Sequence, residues 1–77
     1  MYAVGKVMRK LIDEHETTQA DICRVTGIKK ANLSVICKGE TQYPSIQTCK
    51  RIAMYFGMTL DDFWALIEAE EANAPQD

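Results

Sequence analysis

The chain has 77 residues, which is enough for one domain and leaves no room for a second hydrophobic core. Hydrophobic residues make up 47% of it, which excludes an intrinsically disordered chain, and no apolar run reaches the ~18 residues that a membrane span needs. The net charge of −2 combines a net charge of +4 over residues 1–60 with −6 over residues 61–77. The total charge therefore does not exclude a polyanionic partner for the basic part.

The first predicted helix spans residues 3–14. Apolar residues recur there at the i, i+3, i+4, i+7 spacing of one helix face, at Val4, Val7, Met8, Leu11 and Ile12. Three basic side chains, Lys6, Arg9 and Lys10, lie off that face. They are either an ordinary solvated face or contacts to a phosphate backbone, and the sequence leaves both interpretations open.

Two short helical patterns joined at Gly27 follow. Thr18 is the predicted N-cap of a helix that ends near Thr26, and Gly27 suits the left-handed conformation that ends many helices. The next helix is predicted from about residue 29 to residue 37, with Gly39 ending it. This helix lacks a good N-cap, and two lysines at its start oppose the helix dipole at a cost of roughly a few tenths of a kcal/mol each. The pattern predicts a helix–turn–helix, a motif whose second helix commonly enters the major groove of DNA.

Ser45 is the predicted N-cap of a fourth helix, which Gly57 ends. The residues predicted to face inward from it are Ile46, Cys49, Ile52, Ala53 and Phe56. Thr59 and Asp62 have the spacing of a capping box for a fifth helix. The apolar residues of that helix are Leu60, Phe63, Trp64, Leu66 and Ile67. No strand pattern is present, so the predicted fold class is all-α with five helices, in a domain at residues 1–68 followed by an acidic, frayed tail at residues 69–77.

The three cysteines, Cys23, Cys37 and Cys49, fall at apolar positions of helical patterns. An odd number cannot pair completely within one chain, and no C-x-x-C spacing is present, which favours reduced core thiols over a redox or metal site. His15 is the only histidine. The sequence contains no Ser–His or Cys–His constellation, no phosphate-binding loop and no set of metal ligands, so neither an enzyme nor a cofactor is expected.

The residues around these helices resemble the Cro/repressor-type helix–turn–helix family, also called the Xre family. The matches, in order, are Thr18-Gln19, Gly27-Ile28, Leu33, Ile36, Gly39, Pro44-Ser45-Ile46, Ile52-Ala53, Gly57-Met58 and Asp61-Asp62-Phe63. The resemblance implies a compact, lambda-repressor-like five-helix domain that binds a specific double-stranded DNA sequence as a small transcriptional regulator, most often a repressor. It also implies a cytoplasmic protein of bacterial, phage or mobile-element origin.

The resemblance assigns DNA contacts to the second and third helices and the loop that follows. The family's base-contacting positions correspond to Lys30, Ala31, Ser34 and Val35, with Asn32 as a further candidate for an adenine edge or a phosphate. The family's phosphate-binding glutamine corresponds to Gln19. The other candidate backbone contacts are Lys29, Lys38, Thr41, Gln42 and Tyr43. Ordinary exposed surface is the alternative interpretation of each of these residues.

Two positions depart from the family together. Its members often pair an Arg of helix 1 with a Glu near the end of helix 3, and this chain has Ile12 and Cys37 there. Replacing both partners of a buried ion pair by apolar groups is often neutral or stabilising, whereas losing one partner is costly. We therefore expect Ile12 to pack against Cys37.

The resemblance also implies a homodimer on an inverted repeat, with half-sites about one helical turn apart. The predicted dimer interface comprises Met58, Leu60, Trp64 and Ile67. The alternative is that this apolar stripe completes the core of the chain itself. No membrane partner and no small-molecule ligand are expected, because 77 residues leave no room for a sensor domain.

Two other functions stay open at the level of the sequence. One is an antitoxin-type regulator of a toxin–antitoxin pair, which would bind DNA in the same way and add a toxin-binding surface. The other is a protein-interaction module that has kept the fold and lost DNA binding, with the fifth helix binding a partner protein. The uncapped third helix and the negative total charge favour the module, and the basic residues 1–60 favour DNA.

Overall fold

A computed structural model describes residues 1–73 of the chain. It contains five α-helices: α1 at Ala3–Glu14, α2 at Gln19–Thr26, α3 at Lys30–Cys37, α4 at Ile46–Tyr55 and α5 at Leu60–Asn73. No strand is present in this part of the chain, so the predicted all-α, five-helix class is confirmed. None of these helices is both long enough and apolar enough to span a bilayer.

The core forms where the apolar faces of the helices meet. Helix α5 packs on α1 and α4, α1 also packs on α3, and α2 packs on α3 and α4. The largest fully buried side chains are Met8, Ile22, Leu33, Ile36, Ile52, Phe63 and Ile67. Within residues 1–73 no polar side chain is buried, so the arrangement of the helices rests mainly on apolar packing.

Local sequence signals set both ends of α2 as predicted, and α3 begins without a capping side chain, also as predicted. The backbone N–H of Asp21 donates to the hydroxyl of Thr18 at 3.1 Å, which caps α2. Gly27 ends α2 with a φ of 79°, in the left-handed region that glycine adopts without strain. Lys29 occupies the N-cap position of α3 and its side chain makes no capping hydrogen bond. The turn between α2 and α3 is therefore short and sharply defined.

The capping predictions for α4 and α5 are also confirmed. The Ser45 hydroxyl accepts the backbone N–H of Thr48 at 3.2 Å. Thr59 and Asp62 exchange hydrogen bonds at the start of α5, with the Asp62 N–H on the Thr59 hydroxyl and the Thr59 N–H on the Asp62 carboxylate. Both helices thus begin where the sequence predicts.

The prediction that Ile46 faces inward is wrong. Ile46 is the first residue of α4, and 69% of its surface is exposed. Ser45 and Gln47 are exposed as well, and burial on this helix begins only at Cys49. Periodicity gives the direction in which a side chain points, whereas burial also requires a neighbouring element to cover it.

The fifth helix continues past the predicted end of the domain. It runs to Asn73, and Glu70 forms an ion pair with Lys10 of α1, with 3.3 Å between the Lys10 Nζ and the Glu70 Oε1. Residues 69–73 of the predicted frayed tail are therefore helical, because contacts with α1 hold this end of α5. The rest of that tail, residues 74–77, lies outside the described residues.

The start of α1 lies directly against the end of α3. The backbone N–H of Tyr2 donates to the Gly39 carbonyl at 2.9 Å. A Cβ atom added to Gly5 would lie 2.6 Å from the Gly39 Cα, which is closer than real Cβ contacts come. Two glycines thus allow the two backbones to touch, and this contact fixes where α3 ends relative to α1.

Candidate nucleic-acid interface

Helix α3 buries one face and exposes the opposite one. Leu33, Ile36 and Cys37 are buried in the core. At 100° per residue, Ala31 and Val35 point away from those three, and 38% of the Val35 surface is exposed. Of the predicted base-contacting residues, Lys30, Ala31, Asn32 and Val35 are exposed and Ser34 is half-buried.

A surface cleft brings together α1, the start of α2 and the end of α3. Its lining includes the exposed residues Arg9, Gln19 and Lys38. Gln19 is the first residue of α2, where backbone N–H groups lack intrahelical partners and the helix dipole favours an anion. Two basic side chains, an amide and a helix N-terminus share this concave surface with the exposed carboxylates of Asp13 and Glu16. The charges of the cleft therefore balance, and its groups suited to a phosphate are Gln19 and the N–H groups at the start of α2.

Ile12 and Cys37 line the same cleft. Ile12 is half-buried and packs against the core cluster that includes Cys37. This arrangement agrees with the expected apolar replacement of the family's ion pair. Burial raises the pKa of the Cys37 thiol to about 11, so the thiol is protonated and apolar in character at neutral pH.

The other predicted phosphate contacts, before and after α3, are not all presented in the same way. Lys29 and Gln42 are exposed, and Thr41 is half-buried. Tyr43 lies on α5 instead, where its ring stacks on Trp64 with 5.5 Å between centroids. Its hydroxyl donates to a Glu71 carboxylate oxygen at 2.9 Å. This hydroxyl is therefore engaged by α5 and is not a free donor for a phosphate.

Comparison with known protein families agrees with this geometry. A family model of the Cro/C1-type helix–turn–helix DNA-binding domain matches residues 7–69. The chain belongs to the Cro/C1-type helix–turn–helix DNA-binding family. The matched span includes α2, α3 and the turn between them, and it extends from α1 into α5. Searches of curated proteins and of solved structures found no match.

The Cro/C1-type family is a family of DNA-binding regulatory domains and not a family of enzymes. Among residues 1–73 of this Cro/C1-type domain, no three His, Cys, Asp or Glu side chains are placed to hold a metal ion. The cleft and α3 offer hydrogen-bonding, apolar and charged side chains, the charged ones including the carboxylates of Asp13 and Glu16. Hydrogen bonds, cations and apolar contacts are the interactions that DNA recognition uses.

The predicted dimer interface is only partly available on the surface of the Cro/C1-type domain. Ile67 is 1% exposed and belongs to the core, so its prediction as an interface residue is wrong for this chain. Met58, Leu60 and Trp64 are half-buried and pack against the core at its edge. Leu66, which the sequence reasoning did not assign to an interface, is 40% exposed.

Sequence reasoning missed a polar network at the start of α2. The Tyr55 hydroxyl, at the end of α4, donates to Asp21 Oδ2 at 2.5 Å and is also hydrogen-bonded to the Thr17 hydroxyl. Arg24 donates to the other carboxylate oxygen of Asp21 at 2.5 Å. Only the Asp21–Arg24 pair has a helical spacing that a sequence pattern could have indicated. Tyr55 and Asp21 are 34 residues apart, so no local signal connects them.

These hydrogen bonds stabilise the ionised form of Asp21. The Tyr55 hydroxyl, and then Arg24, hold the pKa of the Asp21 carboxyl below its ordinary value of 3.8. A depressed pKa in the folded state means that the carboxylate stabilises the fold at pH values above 3.8. This contribution is lost as the pH falls from there through the lowered pKa of the folded state, so the network is intact at neutral pH.

Proposed function

We propose that this Cro/C1-type domain binds a specific double-stranded DNA sequence as a small cytoplasmic transcriptional repressor, with α3 in the major groove. The observation that carries the proposal is the outer face of α3. Ala31 and Val35 are exposed opposite the buried side chains of α3, and Lys38, seven residues after Ala31, lies on the same side as these two. Lys30 is exposed at the start of the helix, beside this face. An exposed valine beside an alanine suits contact with thymine methyl groups.

Lys30 and Asn32 supply the polar part of base recognition in this proposal. A lysine can donate to guanine O6 and N7, and an asparagine can form paired hydrogen bonds with an adenine edge. Both side chains are exposed near the start of α3, the end of a recognition helix that contacts base edges in this class of motif. Two lysines at an uncapped helix start oppose the dipole, and a DNA contact offsets that local cost.

The cleft between α1, α2 and α3 supplies the phosphate contacts. Gln19, together with the free backbone N–H groups of the first turn of α2, is the proposed uncharged anchor for a phosphate. Arg9 and Lys38 line the same cleft and are the proposed cationic contacts, beside two carboxylates, Asp13 and Glu16, that offset their charge. Lys29 is exposed next to α3 and is a further candidate.

Single-alanine variants separate base contacts from phosphate contacts. Lys30→Ala is expected to weaken binding to the selected DNA site by about 1–3 kcal/mol, roughly 5- to 150-fold in Kd, with a smaller loss on unrelated DNA. Gln19→Ala is expected to weaken binding to all sequences alike without changing the salt dependence, because it removes no charge. The measurement is a gel-shift titration at several salt concentrations, on DNA selected from a random pool and on bulk DNA.

Lys50→Ala is the matched control, since it removes one exposed lysine from α4, a helix that carries none of the proposed DNA contacts. The docking proposal fails if Lys30→Ala and Gln19→Ala both bind the selected site like the unmodified protein. If the unmodified protein binds no DNA and shows no salt-dependent shift of bulk DNA, the chain is instead a protein-interaction module with this fold.

We also propose a homodimer on an inverted-repeat operator, with a symmetric contact along the edge of α5 formed by Met58, Leu60 and Trp64. These side chains are apolar and only half-buried in the single chain. Glu68 follows Trp64 at the i+4 position and is exposed, so symmetric pairing brings like charges together. The dimer should therefore tighten as salt is added, whereas DNA binding weakens.

Sedimentation at increasing protein and salt concentrations measures this association. Leu60→Asp is expected to give a monomer at concentrations where the unmodified chain is a dimer, because it places a further negative charge in an apolar contact. Ala65→Asp, on the outer side of the same helix, is the control and should leave the dimer in place. A monomer at every concentration for the unmodified chain contradicts the proposal.

A further inference from the structure

Helix α2 has little apolar packing to hold it in place. It has eight residues, and Ile22 is the only one of them that is fully buried. The neighbouring Cys23 is half-buried and also packs against the core. These two adjacent side chains hold the middle of the helix and constrain its first turn less closely. The orientation of the first turn of α2 must therefore depend on other interactions.

The Tyr55 hydroxyl supplies a second point of attachment at that turn. It donates to Asp21, the third residue of α2, at 2.5 Å and is hydrogen-bonded to Thr17, which immediately precedes the N-cap residue. Thr17 and Asp21 lie on either side of Gln19 in the chain. Tyr55 therefore contacts both ends of the short segment that carries Gln19 and the free N–H groups of the first turn.

The same network also engages the negative charge beside the proposed phosphate site. Tyr55 donates to one carboxylate oxygen of Asp21 and Arg24 to the other. A free carboxylate two residues from Gln19 would repel a phosphate, whereas one paired with two donors repels it less. Thr18 already accepts the Asp21 N–H, so the N–H groups of Gln19 and Ala20 remain for an anion.

We infer that Tyr55 is a positioning residue for DNA binding: its hydroxyl holds the first turn of α2 so that Gln19 and the adjacent N–H groups meet a backbone phosphate. Tyr55 itself does not touch the DNA and acts through Gln19. This inference rests on the proposed function, since it requires a phosphate at the start of α2.

A double-mutant cycle tests the inference, using Tyr55→Phe, Gln19→Ala and the variant that carries both. Tyr55→Phe removes only the hydroxyl, and the ring keeps its edge-to-face contact with Phe56, whose centroid is 4.9 Å away. Each single variant should weaken binding to all DNA sequences by roughly tenfold, as expected for a lost charge-assisted hydrogen bond or its consequence. The double variant should bind DNA no more weakly than the single variant with the lower affinity, because the two changes remove the same contact.

Two further variants exclude a general loss of structure. Thr17→Val keeps the size of the side chain and removes the other hydroxyl bonded to Tyr55 without a change of charge. It should therefore weaken DNA binding, and this loss should not add to that of Gln19→Ala. Tyr2→Phe removes the hydroxyl of an exposed tyrosine outside this network and should leave DNA binding unchanged. Circular dichroism at the assay temperature establishes that every variant is folded.

The outcomes are distinguishable. Normal DNA binding by folded Tyr55→Phe overturns the inference and leaves the proposed docking untouched. The inference is also overturned if the fold-change in Kd of the double variant equals the product of the fold-changes of Tyr55→Phe and Gln19→Ala. Tyr55 would then act independently of Gln19. Normal binding by Gln19→Ala alone removes the phosphate contact from the proposed function, and the inference falls with it.

Discussion

Leu33→Ala is expected to lower the free energy of unfolding by about 2–5 kcal/mol, the usual cost of truncating a fully buried leucine. Leu33 has no exposed surface and lies on the face of α3 that packs into the core. A chain of this length is stabilised by only roughly 4–12 kcal/mol in total, so the loss is a large part of the whole. Equilibrium unfolding in urea, followed by circular dichroism, measures it as a shift of the midpoint.

Val35→Ala is the matched control, two positions further along the same helix. Val35 is exposed, so its truncation should change the free energy of unfolding by no more than about 0.5 kcal/mol. It should nevertheless weaken DNA binding, because the proposed thymine contact loses its methyl groups. Equal destabilisation by the two variants would mean that α3 does not have the two faces described.

Gly5→Ala is expected to destabilise the fold by about 1–3 kcal/mol, although a glycine-to-alanine change within a helix ordinarily stabilises it. The added methyl group would lie 2.6 Å from the Cα and 2.7 Å from the backbone nitrogen of Gly39. Because these are backbone atoms, they can separate only if α1 and the end of α3 move apart. Gly39 has a φ of 74° and is itself in contact with Met1, which limits that movement.

Thermal unfolding measures this effect, since 1 kcal/mol shifts the Tm of a domain of this size by roughly 4–8 °C. Lys6→Ala, at the next position of α1, is the control. It replaces one good helix former by another and should leave the Tm nearly unchanged. A higher Tm for Gly5→Ala would show that α1 and α3 do not approach as closely as the structure indicates. DNA binding by Gly5→Ala should weaken too, because the end of α3 carries Lys38.

Features that depend on residues close together in the chain could be predicted from the sequence. The cap at Thr18, the left-handed Gly27 and the capping box of Thr59 and Asp62 each involve atoms within a few residues of one another. The same holds for the outward face of α3, because helical geometry places Ala31 and Val35 opposite Leu33 once the helix is known. The family resemblance then assigned their roles.

The errors arose where burial depended on a distant element. Ile46 has the spacing of an inward-facing residue, yet no element covers the first turn of α4. Ile67 was assigned to an interface because the sequence does not show that α1 and α4 together bury this side of α5. The sequence also does not show that Tyr43, a predicted phosphate contact, lies on Trp64 and Glu71 of α5; its contact with DNA stays a prediction.

The sequence by itself therefore determined five helices, the ends of the first four, the start of the fifth, a helix–turn–helix and the residues that α3 turns outward. Only the tertiary structure decided the contact between Gly5 and Gly39, the cleft that joins Arg9, Gln19 and Lys38, and the hydrogen bonds of Tyr55 at the start of α2. The physical reason is the distance along the chain over which each interaction acts. Capping and periodicity act within about one helical turn, whereas these contacts join residues whose proximity depends on how the whole core packs.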